Sequence, residues 1–343
     1  MKALILTGYT EFMYTDVPTP VPGPDEVLIR LKACSICGSD IHGCQGRGGR
    51  RLPPIIMGHE ASGIVARIGI NVKNFHEGDR VTFDSTEYCG CCDNCRNGMT
   101  NLCNRRKIVG VSCTDYKKDG AMAEYIAVKA HTLYRIPDSV TFEEACLIEP
   151  LAVGLHAVKL SGMTKGRSAV IIGDGTIGLM TLQAARAAGA EHIILVGMQD
   201  GRLAAASGLS RVTVINNSDG TALEQVMRLT NHKGADIIYD AAGLTKTMED
   251  AFSFVKTGGT IVCIGNTSAV VNFPLQDCIV RQIRVLGSYS SAGEYSPGLE
   301  LIQKGLVDLS PFTRQTYPLS QGEEAFRLLM DGKSGVLKVV LTI

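Results

Sequence analysis

The stretch YCGCCDNCRNGMTNLC, residues 88–103, carries five of the chain's twelve cysteines. Cys89, Cys92, Cys95 and Cys103 stand in C-x2-C-x2-C-x7-C spacing, which can bring four thiolates round one tetrahedral ion. A four-sulfur zinc site is closed and structural, because no coordination position is left for a substrate. Redox thiols and an iron–sulfur cluster use similar close spacing, and spacing alone does not name the metal. Zinc is favoured by the absence of other electron-transfer features, and Cys91, which breaks the spacing, reads as a free cysteine beside the site.

A second group of potential ligands is scattered: Cys37 in CGSDIH, His59 and Glu60 in GHE, and Glu149 in IEPLAVGLHA. Singly, each has an ordinary reading as a buried thiol, a structural histidine, a salt-bridged carboxylate or a helix-start acid. Together they offer the mixed sulfur, nitrogen and oxygen ligands of a catalytic zinc, which keeps one position open. Spacing alone does not assemble them.

A third group points to a dinucleotide. In AVIIGDGTIG, Gly173, Gly175 and Gly178 follow an apolar strand and precede the helical segment LMTLQAARAAG. In that context the first glycine allows the tight turn, the second lets the backbone approach a pyrophosphate, and the third permits close helix-to-strand packing. The helix N-terminus then faces the phosphate charge. An NAD-selective site has an acid about 20 residues past the first glycine; here the strand HIILVG ends at Gly197, followed by Met198, Gln199 and Asp200. With no carboxylate at 197 and Arg202 close by, the site leans toward NADP(H). Arg202 also has a plain reading as a solvated helix-face arginine, and Asp200 is a candidate for a displaced acid.

The elements that must position these groups fall into two textures. The first third has short alternating segments such as EVLIRLKA and ASGIVARI, punctuated by glycine and proline, which predicts a strand-rich domain with long loops. From about residue 150, helices alternate with buried apolar strands (SAVIIG, HIILVG, ADIIYDAAG, GGTIVCIG), the pattern of a parallel sheet covered on both faces. After IRVLGSYS a helix, PGLELIQKG, and a last strand, VLKVVLTI, are expected, the strand pairing back into the first domain.

Composition narrows the function classes. The 343 residues suit two domains, are 45% hydrophobic and 20% charged, and balance 34 Lys+Arg against 34 Asp+Glu. Nothing in that balance favours nucleic acid or an anionic membrane. The N-terminal MKALILTGYTEF has too short an apolar run for a signal sequence and reads as a first strand, and no run reaches the ~18–20 apolar residues of a membrane span. A cytoplasmic protein is expected, and a reducing compartment makes clustered cysteines metal ligands or redox groups more readily than disulfides.

CGSDIH, GHE, the four-cysteine lobe, EPLAVGLHA and GDGTIG occur in an order that resembles the zinc-dependent medium-chain alcohol dehydrogenase family across essentially the whole chain, and its polyol branch in the Glu149–Pro150 pair. That resemblance implies an α/β protein: a GroES-like, mostly β catalytic domain over residues 1–149 with a structural-zinc lobe at about 88–104, a Rossmann domain with a doubly wound parallel sheet over 150–286, and a return to the catalytic domain over 287–343. It implies that Cys37, His59 and Glu60 hold a catalytic zinc, with Glu149 as a fourth ligand or as partner of zinc-bound water. It places Ser39 and His42 at the family's proton relay and gives His131 and His156 no site role. On the cofactor side it implies contacts from Ile177, Gly197 and Arg202, from Ile264, Gly265 and Asn266, and from Ser288, Tyr289 and Ser290. The implied reaction is reversible oxidation of a secondary alcohol (polyol, sugar alcohol, amino alcohol or diol), with zinc as Lewis acid and NAD(P) as hydride acceptor. Homodimers or homotetramers are implied, with the segment from GGTIVCIG to IRVLGSYS as a candidate pairing edge.

Two features depart from the family pattern: Gly197 replaces the usual acid, and GSYSSAGEY lacks the arginine–tyrosine pair of sorbitol dehydrogenases, which weakens sorbitol as a substrate. Two other readings compete. A zinc-free quinone or enone reductase on the same fold needs none of Cys37, His59 and Glu60. A zinc-ribbon binding protein needs a basic face, for which only the Arg105–Lys107 cluster is available.

Overall fold

The two textures form two separate units in the computed structural model, which describes residues 1–332 and 335–343. The first unit comprises Met1–Glu149, Tyr295–Gly305 and Leu309–Ile343; the second comprises Pro150–Glu294 and Leu306–Asp308.

In the first unit the long strand Glu26–Ser35 organises the site. Its alternate residues Val27, Ile29, Leu31 and Ala33 are buried, as period-two patterning requires. Along one edge it pairs antiparallel with Glu60–Ile68. It also pairs with Tyr125–Lys129 through its first half and with Val340–Thr342 through its last residues. The final strand therefore does return to the N-terminal part of the chain, as its apolar pattern suggested. The register sets Ser35 opposite both Glu60 and Val340, which brings three distant chain segments to one point. The N-terminal segment is a hairpin rather than a single strand: Lys2–Gly8 pairs with Glu11–Asp16 across a turn that includes Thr10 at φ 63°.

The second unit is a six-stranded, all-parallel sheet in the spatial order Val212–Asn216, His192–Gly197, Ser168–Ile172, Ala235–Asp240, Val255–Cys263, Arg284–Gly287. Numbered along the chain this is 3-2-1-4-5-6, the order of the dinucleotide-binding doubly wound fold. The central strands are buried on both faces; Val170, Ile171, Ile193, Leu195, Ile237 and Ile238 are all fully covered, as a parallel sheet flanked by helices demands. Because the strands are parallel, Gly173, Gly197, Asp240, Ile264 and Ser288 all lie at or just past carboxyl ends. The topology thus gathers the segments expected to touch a cofactor along one edge. Among the described residues no helix is long and apolar enough to cross a membrane.

Candidate active site and metal centres

The cysteine lobe is built by tight turns. Cys92 caps the four-residue helix Asp93–Arg96, Cys103 follows the 3-10 turn Thr100–Leu102, and Gly90 and Gly98 take φ values of 70° and 77° between them. The sulfurs of Cys89, Cys92, Cys95 and Cys103 all lie within 4.8 Å of one another. The amides of Cys89 and Arg105 donate to Cys103 Sγ at 3.3 and 3.4 Å, a pattern that supports a thiolate. Backbone amides of Cys91 and Cys92 pull the Cys89 thiol down to about 5, whereas desolvation and the neighbouring thiols push Cys95 up to about 12. Four thiolates at this separation repel unless a cation sits among them, so the donor set fits a closed zinc site. Cys91 lies outside the set: it is exposed, 3.8 Å from Cys89 Sγ, and accepts from Arg105 Nη2 at 2.6 Å.

The second constellation forms where the strand Glu26–Ser35 ends and Glu60–Ile68 begins. Cys37 sits at the N-terminus of the helix Gly38–Cys44, two residues past Ser35, and His59 immediately precedes Glu60. One ligand atom each from Cys37, His59 and Glu60 lie within 4.8 Å of one another, and His59 and Glu60 are buried. Glu149 is not in that set. It nevertheless feels the same charges: burial raises its carboxyl to about 7, with His59 opposing the rise and Glu60 adding to it.

Counter-charges surround this group. Asp40 is fully buried; its Oδ2 accepts from the Cys37 amide at 3.3 Å, and its Oδ1 lies 3.5 Å from His59 Nδ1. With Nδ1 facing Asp40 at this longer, charge-contact distance, Nε2 of His59 is left available to a metal. Burial opposes charge on both partners, yet His59 and Arg51 hold the Asp40 carboxyl well below its usual range, and Asp40 and Cys37 hold His59 well above its own. Glu60 is paired differently. Lys338, 3% exposed, reaches its two oxygens at 2.8 and 2.5 Å, and Ser35 Oγ donates to Oε2. Burial acts to lower the Lys338 ammonium, but Glu60 outweighs it and raises the pKa. Ser39 and His42 are exposed, three residues apart on one helix and so on the same face. His131 packs edge-on against Tyr88, and His156 bonds Glu294 at 3.2 Å.

The dinucleotide segment has the expected shape. Gly173 takes φ 119°; a Cβ on Gly178 would sit 1.9 Å from the Gly173 carbonyl oxygen; a Cβ on Gly175, at the start of the helix Thr176–Ala187, would meet nothing. Gly173 and Gly178 serve turn and packing, and Gly175, between them, leaves open space where a pyrophosphate can approach. Ile177 lies in the first turn of that helix. Gly265 abuts Ala241 and Ala242 so closely that a Cβ would lie 2.4 Å from backbone, and Asn266 follows it. Ser288 donates its amide to Cys263 O at 2.9 Å, Tyr289 follows, and Ser290 has φ 52°; the hydroxyl of Ser288 is buried without a protein partner. Asp200 is engaged elsewhere, accepting from Asn216 Nδ2 at 2.6 Å, while Arg202 Nε is buried without a hydrogen-bond partner.

Sequence reasoning passed over one feature here. Asp174, inside GDGTIG, turns toward the end of the next strand, and its Oδ2 accepts from the amides of Met198 and Gln199 at 2.7 and 2.8 Å. A Cβ at Gly197 would lie 2.5 Å from Asp174 Cβ. Asp174 therefore fills the space a side chain at 197 needs. Asp40 could have been read from CGSDIH as a helix-start acid, but no local signal pointed to Arg51 or Lys338.

The comparisons with known proteins agree with this geometry. Residues 23–138 match the alcohol dehydrogenase GroES-like domain, and residues 176–304 match the zinc-binding dehydrogenase family. A sorbitol dehydrogenase from Bacillus subtilis (strain 168) is 34% identical over 99% of this chain and 97% of its own. An L-idonate 5-dehydrogenase from Vitis vinifera is 33% identical over 92% of this chain and 88% of its own. The crystal structure of a zinc-binding dehydrogenase from Sinorhizobium meliloti 1021 bound to NADP superposes with a TM-score of 0.91 at 30% identity, covering 100% of this chain and 99% of that one. With a GroES-like domain, a Rossmann-type sheet and both cysteine-containing ligand sets in place, the chain belongs to the zinc-binding medium-chain alcohol dehydrogenase family and is a zinc-containing, NAD(P)-dependent alcohol or polyol dehydrogenase.

Proposed function

We propose that the protein reversibly oxidises a secondary alcohol of a polyol, sugar alcohol, amino alcohol or diol to the ketone, with hydride transfer to NAD(P) and a preference for NADP(H). The observation that carries this reading is the convergence of Cys37, His59 and Glu60 within 4.8 Å. A quinone or enone reductase has no use for that set. Zinc bound there supplies Lewis acidity, and the nicotinamide supplies the hydride acceptor.

The chain's own residues handle position and protons. Cys37 and His59 offer the soft and borderline ligands that suit zinc. Glu60 offers a third, and Lys338 and Ser35 hold its carboxylate in place. Glu149, with a carboxyl near 7, is suited to partner a water or hydroxyl close to these ligands. Ser39 and His42, exposed on one face of the helix Gly38–Cys44, form the route by which the alcohol proton leaves.

The preference for NADP(H) rests on Gly197 and Arg202. No acid stands at 197, one oxygen of the nearby Asp174 is occupied by two backbone amides, and Arg202 has a buried donor without a partner. The NADP-bound relative supports the same choice. For assembly, the segment carrying exposed Val270, Leu275, Ile279 and Val280 precedes the outer strand Arg284–Gly287, an apolar edge suited to a homodimer or homotetramer. None of the twelve cysteines is paired in a disulfide, in keeping with a cytoplasmic location.

The test is a panel of polyols, sugar phosphates, amino alcohols and diols, with the matching ketones, assayed with each cofactor beside metal analysis. Two zinc ions per chain and turnover of at least one such alcohol, faster with NADP, are expected. One zinc or none, or turnover of enones alone, would end the reading.

A further inference from the structure

Arg51 has no part in the motifs that identify the family, yet it is nearly buried, at 5% exposure. Its backbone is anchored beside Ser112: the Leu52 amide donates to Ser112 O at 3.1 Å, and the Ser112 amide to Arg50 O at 3.3 Å. From there the side chain runs under the helix Gly38–Cys44. Gly43 makes room for it, since a Cβ at that position would lie 2.2 Å from Arg51 Cγ.

Each of the three guanidinium nitrogens donates. Nε and Nη2 donate to Asp40 Oδ1 at 3.1 and 2.9 Å, Nη1 donates to Arg50 O at 3.0 Å, and Nη2 also reaches Ser39 Oγ at 3.4 Å. Asp40 in turn contacts the Cys37 amide and His59 Nδ1. One planar cation thus touches the carboxylate that orients two ligand residues and the hydroxyl of the relay serine. A fork-shaped donor can do this; a point charge such as lysine cannot bond both neighbours in fixed directions.

We propose that Arg51 is a positioning residue that couples the proton-relay serine to the zinc-ligand histidine through Asp40. It fixes the Asp40 carboxylate that faces His59 Nδ1 at 3.5 Å and so the charge against which the imidazole is set, and it occupies an acceptor position on Ser39, which turns the serine's own hydrogen away from the guanidinium. The inference rests on the reading of Cys37, His59 and Glu60 as the catalytic zinc ligands.

The test uses the full-length, zinc-loaded protein and chelator competition, which resolves two zinc affinities per chain. Arg51→Met should weaken one zinc by about 10–100-fold, the cost typical of lost outer-shell partners, and leave the other, held by the cysteine lobe, unchanged. NADPH affinity, read by nicotinamide fluorescence, should not move. Arg51→Lys should restore folding stability without restoring the zinc affinity. If Arg51→Met does not fold, Asp40→Asn/Arg51→Met, which removes both buried charges, carries the measurement: recovered melting temperature with the zinc still weakened supports the proposal. Parent affinity at both zincs in either variant overturns it, as does a loss that Arg51→Lys fully reverses. A parent protein that binds only one zinc overturns instead the reading of the ligand set.

Discussion

Placing an acid at position 197 tests how the adenosine end of the cofactor site is built. In relatives that use NAD an acid stands at the end of the second strand, so Gly197→Asp is the obvious way to favour NAD. The structure argues that this single change fails. The new Cβ would meet Asp174 Cβ at 2.5 Å, Asp174 Oδ2 at 2.7 Å and Leu203 Cδ2 at 2.7 Å. Overpacking of that kind costs about 1–3 kcal/mol. The second carboxylate also arrives beside the first, which is only 9% exposed; two like charges about 4 Å apart repel by about 4 kcal/mol at an effective dielectric of 20. Rotation or protonation relieves part of this, leaving about 3–5 kcal/mol, or a fall of about 10 °C in the melting of a unit of this size. Asp174→Gly/Gly197→Asp removes the clash and moves the acid from the glycine loop to the strand end. The double variant should recover most of the lost stability, bind NADH more tightly than the parent, and bind NADPH more weakly. Thermal melts and fluorescence titrations of both reduced cofactors measure this directly. The reasoning is refuted if Gly197→Asp alone melts within about 2 °C of the parent, because Asp174 would then not be what keeps position 197 a glycine.

In the zinc-stripped protein, Lys338→Met leaves the buried carboxylate of Glu60 without a cation and should destabilise the fold by about 3–5 kcal/mol, whereas Glu60→Gln/Lys338→Met should lose much less; melting temperatures compare the two. Cys95→Ser should cost one zinc per chain and lower the melting temperature, because the metal's binding energy is folding energy; metal analysis that still finds two zincs contradicts the four-cysteine assignment. Burial acts to raise the Glu294 carboxyl, but hydrogen bonds from His156 and Lys159 depress it to about 2 from an ordinary 4.5. Its contribution is therefore complete above about pH 4.5 and disappears as pH falls toward 2. The stability gap between the parent and Glu294→Gln should close as pH falls from about 4.5 toward 2 in pH-dependent unfolding, whereas a gap unchanged down to about pH 2 would contradict the depressed value.

What could be read from the chain, and what could not, divides by how far apart the partners lie. The cysteine lobe was legible because its four ligands fall within fifteen positions and the spacing itself dictates a compact turn. The glycine loop was legible because strand, turn and helix follow in order, and the parallel sheet because its strands are continuous apolar runs. The catalytic ligands were recognisable only by resemblance, since Cys37 and His59 meet through strand register and not through spacing. The groups that hold those ligands were hidden altogether. Glu60 is neutralised by a lysine 278 positions away, placed by the pairing of Val340 with Ser35 and of Ser35 with Glu60; moving either strand by one residue would turn the alternate side chains to the other face. Charge burial nonetheless imposes a rule that precedes any structure. A carboxylate fully removed from water must be met by hydrogen-bond donors or by a cation: Asp240 takes two backbone amides and the Thr247 hydroxyl, whereas Asp40 and Glu60 take cations from distant positions. Register then decides that Asp40 receives a rigid fork shared with Ser39, and Glu60 a single ammonium. That asymmetry is why loss of Arg51 should disturb His59 and Ser39 together, while loss of Lys338 should fall first on Glu60, the carboxylate it bonds, and through charge on Glu149.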